Sequence, residues 1–511
     1  MTLNASGPIS LGGPTTGQSI NLELGNAATA VASIDSAPFR TLANVPSGAI
    51  ALSNFYGKSA NSYWALAATV VTFDRGFAVS LNGIMCIGPG NNSGATGANC
   101  IHFFNLDGIL TKSTVVNSYY DNLGGYSPKE ICVGGNVNNN NFSDPIFYPI
   151  VAANLYTPAG TGAFTSTSNN NFQGSNKWCW GTQNGYDYDY PLKGVLFDSS
   201  NNIYLAAHRP TFGYSKFTAY QTTCFSFNFT GTARWGIRNG GTYANPAFQA
   251  QMATLRTDNK VVVIGCGRGA GPAEIYLVNA SSGEFIQSYQ YTHTEPRGVY
   301  GNFFTDSSNN VYWCTYKNSG FQTPVISKIS SSYVGSAVLY YPSPDGAAQA
   351  NWFPSFSLYN GKIYMFASTG SATRMVIVQI DIATMLPEWT LNMTFSGSLN
   401  SRMGDSGKNT IYATSVGIYI AINVNGFNNY FKLPLDGAIS GTKSVLNPSG
   451  ATSYNVTFSK VTSGSTMCGS SPTDFTQSGG GSTNYITRTA VNATGGTPFN
   501  GNTPSTVKST L

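Results

Sequence analysis

The chain has 511 residues, a formal net charge of +5 and only 9% charged residues, against 13% Phe, Trp and Tyr. A disordered chain is rich in charge and poor in aromatics, so this composition excludes disorder and points to a rigid, turn-rich β protein with ample core for two or more domains. No run of Lys or Arg is interleaved with aromatics, which argues against a nucleic-acid partner. With no basic-then-apolar leader and no run of about 18 apolar residues, neither Sec export nor membrane insertion is expected.

Residues 1 to 60 differ from everything after them. Ser19-Ile20-Asn21-Leu22-Glu23-Leu24-Gly25 reads as a short helix ending at a glycine, Arg40-Thr41-Leu42-Ala43 as a further brief turn, and Val45 to Lys58 as a loop leading into a short apolar segment. Large apolar side chains are few here, and a unit of about 60 residues is marginal without staples or partners, so this module is expected to dock onto something else. Gly7-Pro8-Ile9-Ser10-Leu11, Ile20-Asn21-Leu22-Glu23-Leu24-Gly25, Arg40-Thr41-Leu42-Ala43, Val45-Pro46-Ser47-Gly48-Ala49-Ile50 and Ser53-Asn54-Phe55-Tyr56-Gly57-Lys58 occur in that order. Together they resemble a short N-terminal module shared by structural proteins of tailed bacteriophages. The resemblance implies a virion protein of tail, baseplate or fibre, made in the host cytoplasm and held by other virion proteins, in several copies or as a homo-oligomer. The implied docking residues are Ile20, Leu22, Leu24, Val45, Pro46, Ile50, Phe55 and Tyr56. It implies nothing about what the rest of the chain binds.

From Trp64 the pattern is that of strands. Gly301-Asn302-Phe303-Phe304-Thr305-Asp306-Ser307-Ser308-Asn309-Asn310-Val311-Tyr312-Trp313-Cys314 sets two apolar runs around an Asp-Ser-Ser-Asn-Asn cluster. Those residue types bond their own backbone in turns and tolerate positive φ, so the unit reads as a β-hairpin. Gly194 to Ala206 repeats it almost letter for letter, and looser copies follow at Met252, Phe356 and Gly404, with degenerate ones at Val79 and Ser127. The residues before the second strand, Gly83, Lys129, Asn202, Lys260, Asn310, Lys362 and Asn409, recur about every 54 residues, near the period of β-propeller blades. A second hairpin follows most of them, with turns at 104–108, 228–232, 278–283 and 423–426. Two hairpins per period give the four strands of a blade, whose apolar face only a neighbouring blade covers. The expected architecture is all-β: a docking module over 1–60, a seven-bladed β-propeller over 61–442, and a β-rich or irregular C-terminal extension over 443–511. In that extension Tyr454-Asn455-Val456-Thr457-Phe458 alternates like a strand, able to complete the last blade beside the N-terminal ring strand or to contact a neighbouring subunit.

Cys86, Cys132, Cys266 and Cys314 fall on the second strand of the first hairpin in this register, a place for buried thiols rather than a disulfide framework. The eight cysteines form no Cys-x-x-Cys pair, so thiolate zinc is not expected. The longest interval, from Lys129 to Asn202, holds Trp178, Trp180, Tyr186, Asp187, Tyr188, Asp189 and Tyr190. Flat aromatic faces beside Asp and Asn suit either a sugar or a protein surface, so these seven are the candidate ligand-binding residues; alternating Tyr-Asp-Tyr-Asp-Tyr also fits a strand with one aromatic face. Two carboxylates fall short of the 6–8 oxygens that Ca²⁺ takes, so no metal is assigned.

Catalytic machinery is not evident. His102, His208 and His293 have no triad or metal-ligand partner at recognisable spacing. The turn before Trp235 resembles quinone-dependent dehydrogenase blades, but Trp does not recur in every repeat, and no cofactor is expected. Three functions stay open: a virion adhesin or tail-fibre component binding host-surface glycan or protein, which the aromatic stretch favours; a purely architectural baseplate, tail or capsid-decorating protein; and a glycan-degrading virion enzyme, against which the lack of an acid/base pair counts.

Overall fold

The computed structural model describes residues 3–56 without 5, 16, 17, 25, 44 and 46, then Tyr63, the strands named below, and the turn residues 105–109, 198, 200, 202, 256–259, 280–284, 306–310, 330–332, 360–361, 373, 382–386, 396–399, 410, 415–416, 425, 434–440, 446 and 453. In the N-terminal module, Ser19 caps helix α1 (Ile20–Glu23), its Oγ accepting from the Leu22 amide at 3.3 Å. Helix α2 (Ala37–Ala43) and a 3₁₀ turn, Leu52–Phe55, follow. Leu3, Ile20, Phe39, Leu42, Ala43 and Phe55 are buried in one cluster, with Phe39 and Phe55 edge to face at 6.3 Å. Few as its apolar residues are, the module gathers them into a core of its own, which corrects the expectation of a segment without one.

Strand β1 (Trp64–Ala68) opens the second part of the chain, and four-stranded antiparallel sheets follow in sequence. They are β2 (Phe77–Ser80), β3 (Gly83–Pro89), β4 (Asn99–Phe104) and β5 (Leu110–Val116); then β6 (Glu130–Gly134), β7 (Ile150–Thr157), β8 (Gly160–Ser166) and β9 (Lys177–Gly181). Next come β10 (Leu192–Phe197), β11 (Ile203–Ala207), β12 (Gln221–Phe227) and β13 (Ala233–Asn239), and β14 (Gln249–Leu255), β15 (Lys260–Cys266), β16 (Ala273–Asn279) and β17 (Phe285–His293). β18 (Tyr300–Thr305), β19 (Val311–Asn318), β20 (Gln322–Ile329) and β21 (Gly335–Tyr340) precede β22 (Ser355–Tyr359), β23 (Lys362–Ser368), β24 (Arg374–Asp381) and β25 (Pro387–Phe395). The seventh sheet joins β26 (Ile411–Thr414), β27 (Gly417–Val424) and β28 (Phe427–Leu433) to β1, so the first strand completes the last sheet. The first strands of successive sheets lie side by side, β2 with β6, β6 with β10, and so on to β22 with β26, and β26 meets β2 again.

The hairpin repeat is explained by one carboxylate. Asp306 Oδ1 accepts from the amides of Ser308 and Asn310, at 2.9 and 2.8 Å, while Oδ2 accepts from Asn310 Nδ2 and the Tyr312 hydroxyl, at 2.8 and 3.0 Å. Asp198 makes the same four bonds to Ser200, Asn202 and Tyr204. Asn309 takes φ +64°, the left-handed turn position that Asn tolerates. Five repeat positions (83, 202, 260, 310 and 362) precede or begin the second strand of a sheet, as read. Residues 129 and 409 lie outside the described residues, and the strands after them, β6 and β26, are the first of their sheets, so the reading slipped by one strand there. Two causes are visible: fifteen residues separate β6 from β7, too many for a compact turn signal, whereas only Ser415 and Val416 separate β26 from β27. Cys132 consequently sits on a first strand, unlike Cys86, Cys266 and Cys314 on second strands.

Adjacent sheets are joined by tryptophans. Trp64 on β1 donates its indole N–H to Leu106 O at 3.2 Å, and Trp235 on β13 to Ala280 O at 2.9 Å, each reaching the turn before the outer strand of the next sheet. Gly108 and Gly283, at φ +75° and +72°, press backbone onto those rings, and Gly437, at +67°, does the same to Trp389 of β25. A Cβ at Gly283 would stand 2.5 Å from Trp235 Cγ, so only glycine fits there. Arg234 reinforces this junction, donating to the Tyr204 hydroxyl, to Ser226 Oγ and to Ser281 O.

The C-terminal extension does not complete the last sheet with Tyr454–Phe458. β29 (Gly441–Val445) and β30 (Tyr454–Thr462) add to β25, and the chain then runs back past earlier sheets. β31 (Cys468–Gly469) pairs with β21, β32 (Phe475–Gly479) with β17, β33 (Ile486–Thr489) with β13, β34 (Ala493–Gly495) with β9 and β35 (Thr506–Thr510) with β1. Among the described residues, β5 alone of the seven outer strands receives no such addition.

Candidate functional site

The aromatic stretch begins inside a sheet. Trp178 and Trp180 are strand residues of β9, paired on one side with Thr165 and Ala163 of β8 and on the other with Gly495 and Ala493 of β34. These two candidates therefore stand on the fourth strand of the second sheet. Tyr186, Asp187, Tyr188, Asp189 and Tyr190 lie outside the described residues, as does His208. His102 stands on β4 opposite Cys86 and Ser113, and His293 ends β17 opposite Phe475. β4 and β17 belong to different sheets.

In the N-terminal module, Ile20 and Phe55 are fully buried in the core, so these two implied docking residues hold the module together instead of meeting a partner. Leu24, Val45 and Ile50 pack against that core while remaining partly exposed, Leu22 is half-buried, and Pro46 lies outside the described residues. Tyr56 is exposed and donates its hydroxyl to Gly7 O at 2.7 Å. The exposed apolar side chains that sequence reasoning passed over are Leu11, Val31 and Leu52. Residues 1–56 hold only three charges: Glu23 is buried, and Asp35 is ion-paired with Arg40, whose guanidinium also donates to Val45 O and Gly48 O. Such a surface lacks the charge that ordinary solvent-facing surfaces carry, as the centres of protein–protein interfaces do. Burial, then the carboxylates of Asp436 and Glu23, push the Tyr63 phenol up to about 12.

Among the described residues, the charged clusters on the sheets are internally paired. Burial pushes the Tyr204 phenol up to about 12, with Arg234 opposing and Asp198 adding to the shift, and burial with Asp306 raises Tyr312 further. Protonated phenols of this kind donate hydrogen bonds and are poor bases. Lys362 bridges Asp381 at 2.7 Å and Glu388. The Lys362 ammonium and the Thr384 backbone amide hold the Asp381 carboxyl well below the usual carboxylate range. Among the described residues no three His, Cys, Asp or Glu side chains gather as a metal group, and no helix is long and apolar enough to cross a membrane.

No family model and no curated protein matches the chain. Among solved structures, it is similar to the hydrazine synthase of Kuenenia stuttgartiensis at 11% identity, covering 61% of this chain and 79% of that one with a TM-score of 0.39. It is similar to the polysaccharide lyase Uly1 at 9% identity over 79% and 96% of the two chains with a TM-score of 0.40, and to a europium-containing methanol dehydrogenase at 11% over 72% and 82% with 0.33.

Proposed function

We propose that this chain is a structural protein of a tailed-bacteriophage particle, a tail-fibre or adhesin component in which an N-terminal module docks on other virion proteins and a seven-bladed β-propeller faces the host surface. The observation that carries the docking half is the module itself: a separate core, exposed Leu11, Val31, Leu52 and Tyr56, and no unpaired surface charge among its described residues. Support for the propeller comes from seven antiparallel sheets whose first strands follow one another in a closed cycle, with β1 completing the last sheet. Recognition of a glycan or protein falls to the candidates beyond β9: Tyr186, Asp187, Tyr188, Asp189 and Tyr190. The architectural reading gains from one observation, that Trp178 and Trp180 are paired on both sides within a sheet.

Peptide mass spectrometry of purified particles, with electron microscopy to place the chain, tests the assignment. The intact chain is expected in the tail, and a chain lacking residues 1–58 is expected to fold but fail to enter particles. Incorporation of that deletion at normal copy number overturns the docking role. Replacing Tyr186, Tyr188 and Tyr190 with Ala is expected to lower adsorption roughly thirtyfold per anchoring ring at unchanged stability; unchanged adsorption leaves the architectural reading in its place.

A further inference from the structure

The C-terminal extension is attached in two different ways. β30 is held on both sides, by Trp389–Phe395 of β25 and by Gly441–Val445 of β29, and its alternate residues Tyr454, Val456 and Phe458 enter a hydrophobic cluster with Phe395, Phe431 and Leu433. Side chains pin it further: the Tyr454 hydroxyl donates to Asn429 Oδ1 at 2.6 Å, and Lys460 Nζ lies 5.5 Å from the Trp389 ring centroid and donates to Asp436 O.

The strands after it are ordered differently. β31 to β35 pair over two, five, four, three and five residues, each on one side only, at the rim of its sheet. Each brings a single apolar residue: Cys468, Phe475, Ile486, Ala493 and Val507. Short one-sided ladders open locally at far lower free energy than a strand pinned in the core. Five different sequences sit on five different edges, so backbone pairing carries the attachment and the edges are tolerant of sequence.

We propose that β31 to β35 form a strap that peels from the sheets while β30 stays in place, and that the edges it uncovers take the same strap from a second copy of the chain. The second copy is the occupant these observations single out, because exchange restores every register pair of the closed form and requires no new surface. Uncovered, the outer strands β1, β9, β13, β17 and β21 present unpaired N–H and C=O rows, the usual template for strand addition. Strap exchange thereby links copies without disturbing the cycle of first strands.

Hydrogen exchange on the full chain, read by peptide mass spectrometry, provides the first measurement. Amides of β31 to β35 are expected to exchange at least tenfold faster than those of Tyr454–Thr462, with β25 protected throughout. Light scattering after incubation at high protein concentration is expected to reveal dimers. Tethering the strap end to its own β1, through Ala68→Cys with Thr506→Cys at facing register positions, is expected to abolish them when oxidised and restore them on reduction. Equal protection of β30 and the later strands overturns the proposal. So does a chain that stays monomeric at every concentration, or a dimer that survives the oxidised tether.

Discussion

Replacing Gly283 by Ala probes the joint between two sheets. Gly283 closes the turn Asn279–Gly283 at φ +72°, its amide donating to Asn279 O at 2.8 Å. Placing an L side chain in this left-handed region costs about 1–2 kcal/mol. The added Cβ would also stand 2.5 Å from Trp235 Cγ, and that ring has little room to retreat: it is 1% exposed and fixed by its 2.9 Å bond to Ala280 O. Overpacking of this kind adds about 1–3 kcal/mol, so the total expected loss is about 2–5 kcal/mol. Gly361 supplies the control, because at φ +70° its nearest neighbour to a new Cβ is Ile382 Cγ2 at 3.8 Å, leaving only the backbone cost. Urea unfolding of Gly283→Ala and Gly361→Ala should therefore differ by the contact alone. In a Trp235→Ala background the Gly283→Ala penalty should shrink to that of Gly361→Ala. Equal losses in the two single variants refute the claim that Trp235 is pressed against the next sheet.

Two further outcomes follow from the turns. Asp306→Ala leaves the buried Tyr312 hydroxyl without the acceptor it has in the closed turn and should cost about 1–3 kcal/mol in the same unfolding assay; an unchanged midpoint contradicts the role given to the carboxylate. For Asp381, the folded carboxyl is held below its unfolded value of about 3.9, so protonation favours the unfolded chain. Its contribution is fully present above about pH 4 and is lost as pH falls below that, and Asp381→Asn should flatten this acid limb between about pH 4 and pH 2. Equal acid sensitivity of the two proteins removes the Lys362–Asp381 pair from the explanation.

Much of the architecture was legible because it is written in local chemistry. The Asp-Ser-Ser-Asn-Asn turn identifies its hairpin without help from distant residues, since all four bonds of Asp306 close within six positions. Where that turn is missing, around residues 129 and 409, the phase was lost by a strand. Non-local pairing was the other blind spot. Nothing in Thr-Val-Lys-Ser-Thr announces that β35 lies against β1, because a polar edge strand contributes backbone bonds that any sequence without proline supplies. In the N-terminal module, two implied docking residues, Ile20 and Phe55, turned out to be core. An apolar residue in a short segment carries no mark of which side it faces until the segment's own packing is known.

Trp178 has two counterparts on other sheets. It stands on β9 opposite Thr165, one residue before the end of β8; Trp235 stands on β13 opposite Ser226, one before the end of β12, and Trp64 on β1 opposite Lys432, one before the end of β28. Three tryptophans thus share a single register position on the outer strand of their sheets. For the two whose surroundings are described, that position sends the indole to an Asn-led turn of the next sheet, 105–108 and 279–283. Between β12 and β13 of the sheet after β9 the sequence reads Asn228-Phe229-Thr230-Gly231, the same Asn-x-x-Gly spacing as Asn105-Leu106-Asp107-Gly108. Trp178→Ala is accordingly expected to cost about 3–5 kcal/mol of stability, the usual loss for a core tryptophan, and to leave host adsorption per folded molecule unchanged. A variant that keeps its full stability yet adsorbs poorly would return Trp178 to the recognition surface and break the register argument at this sheet.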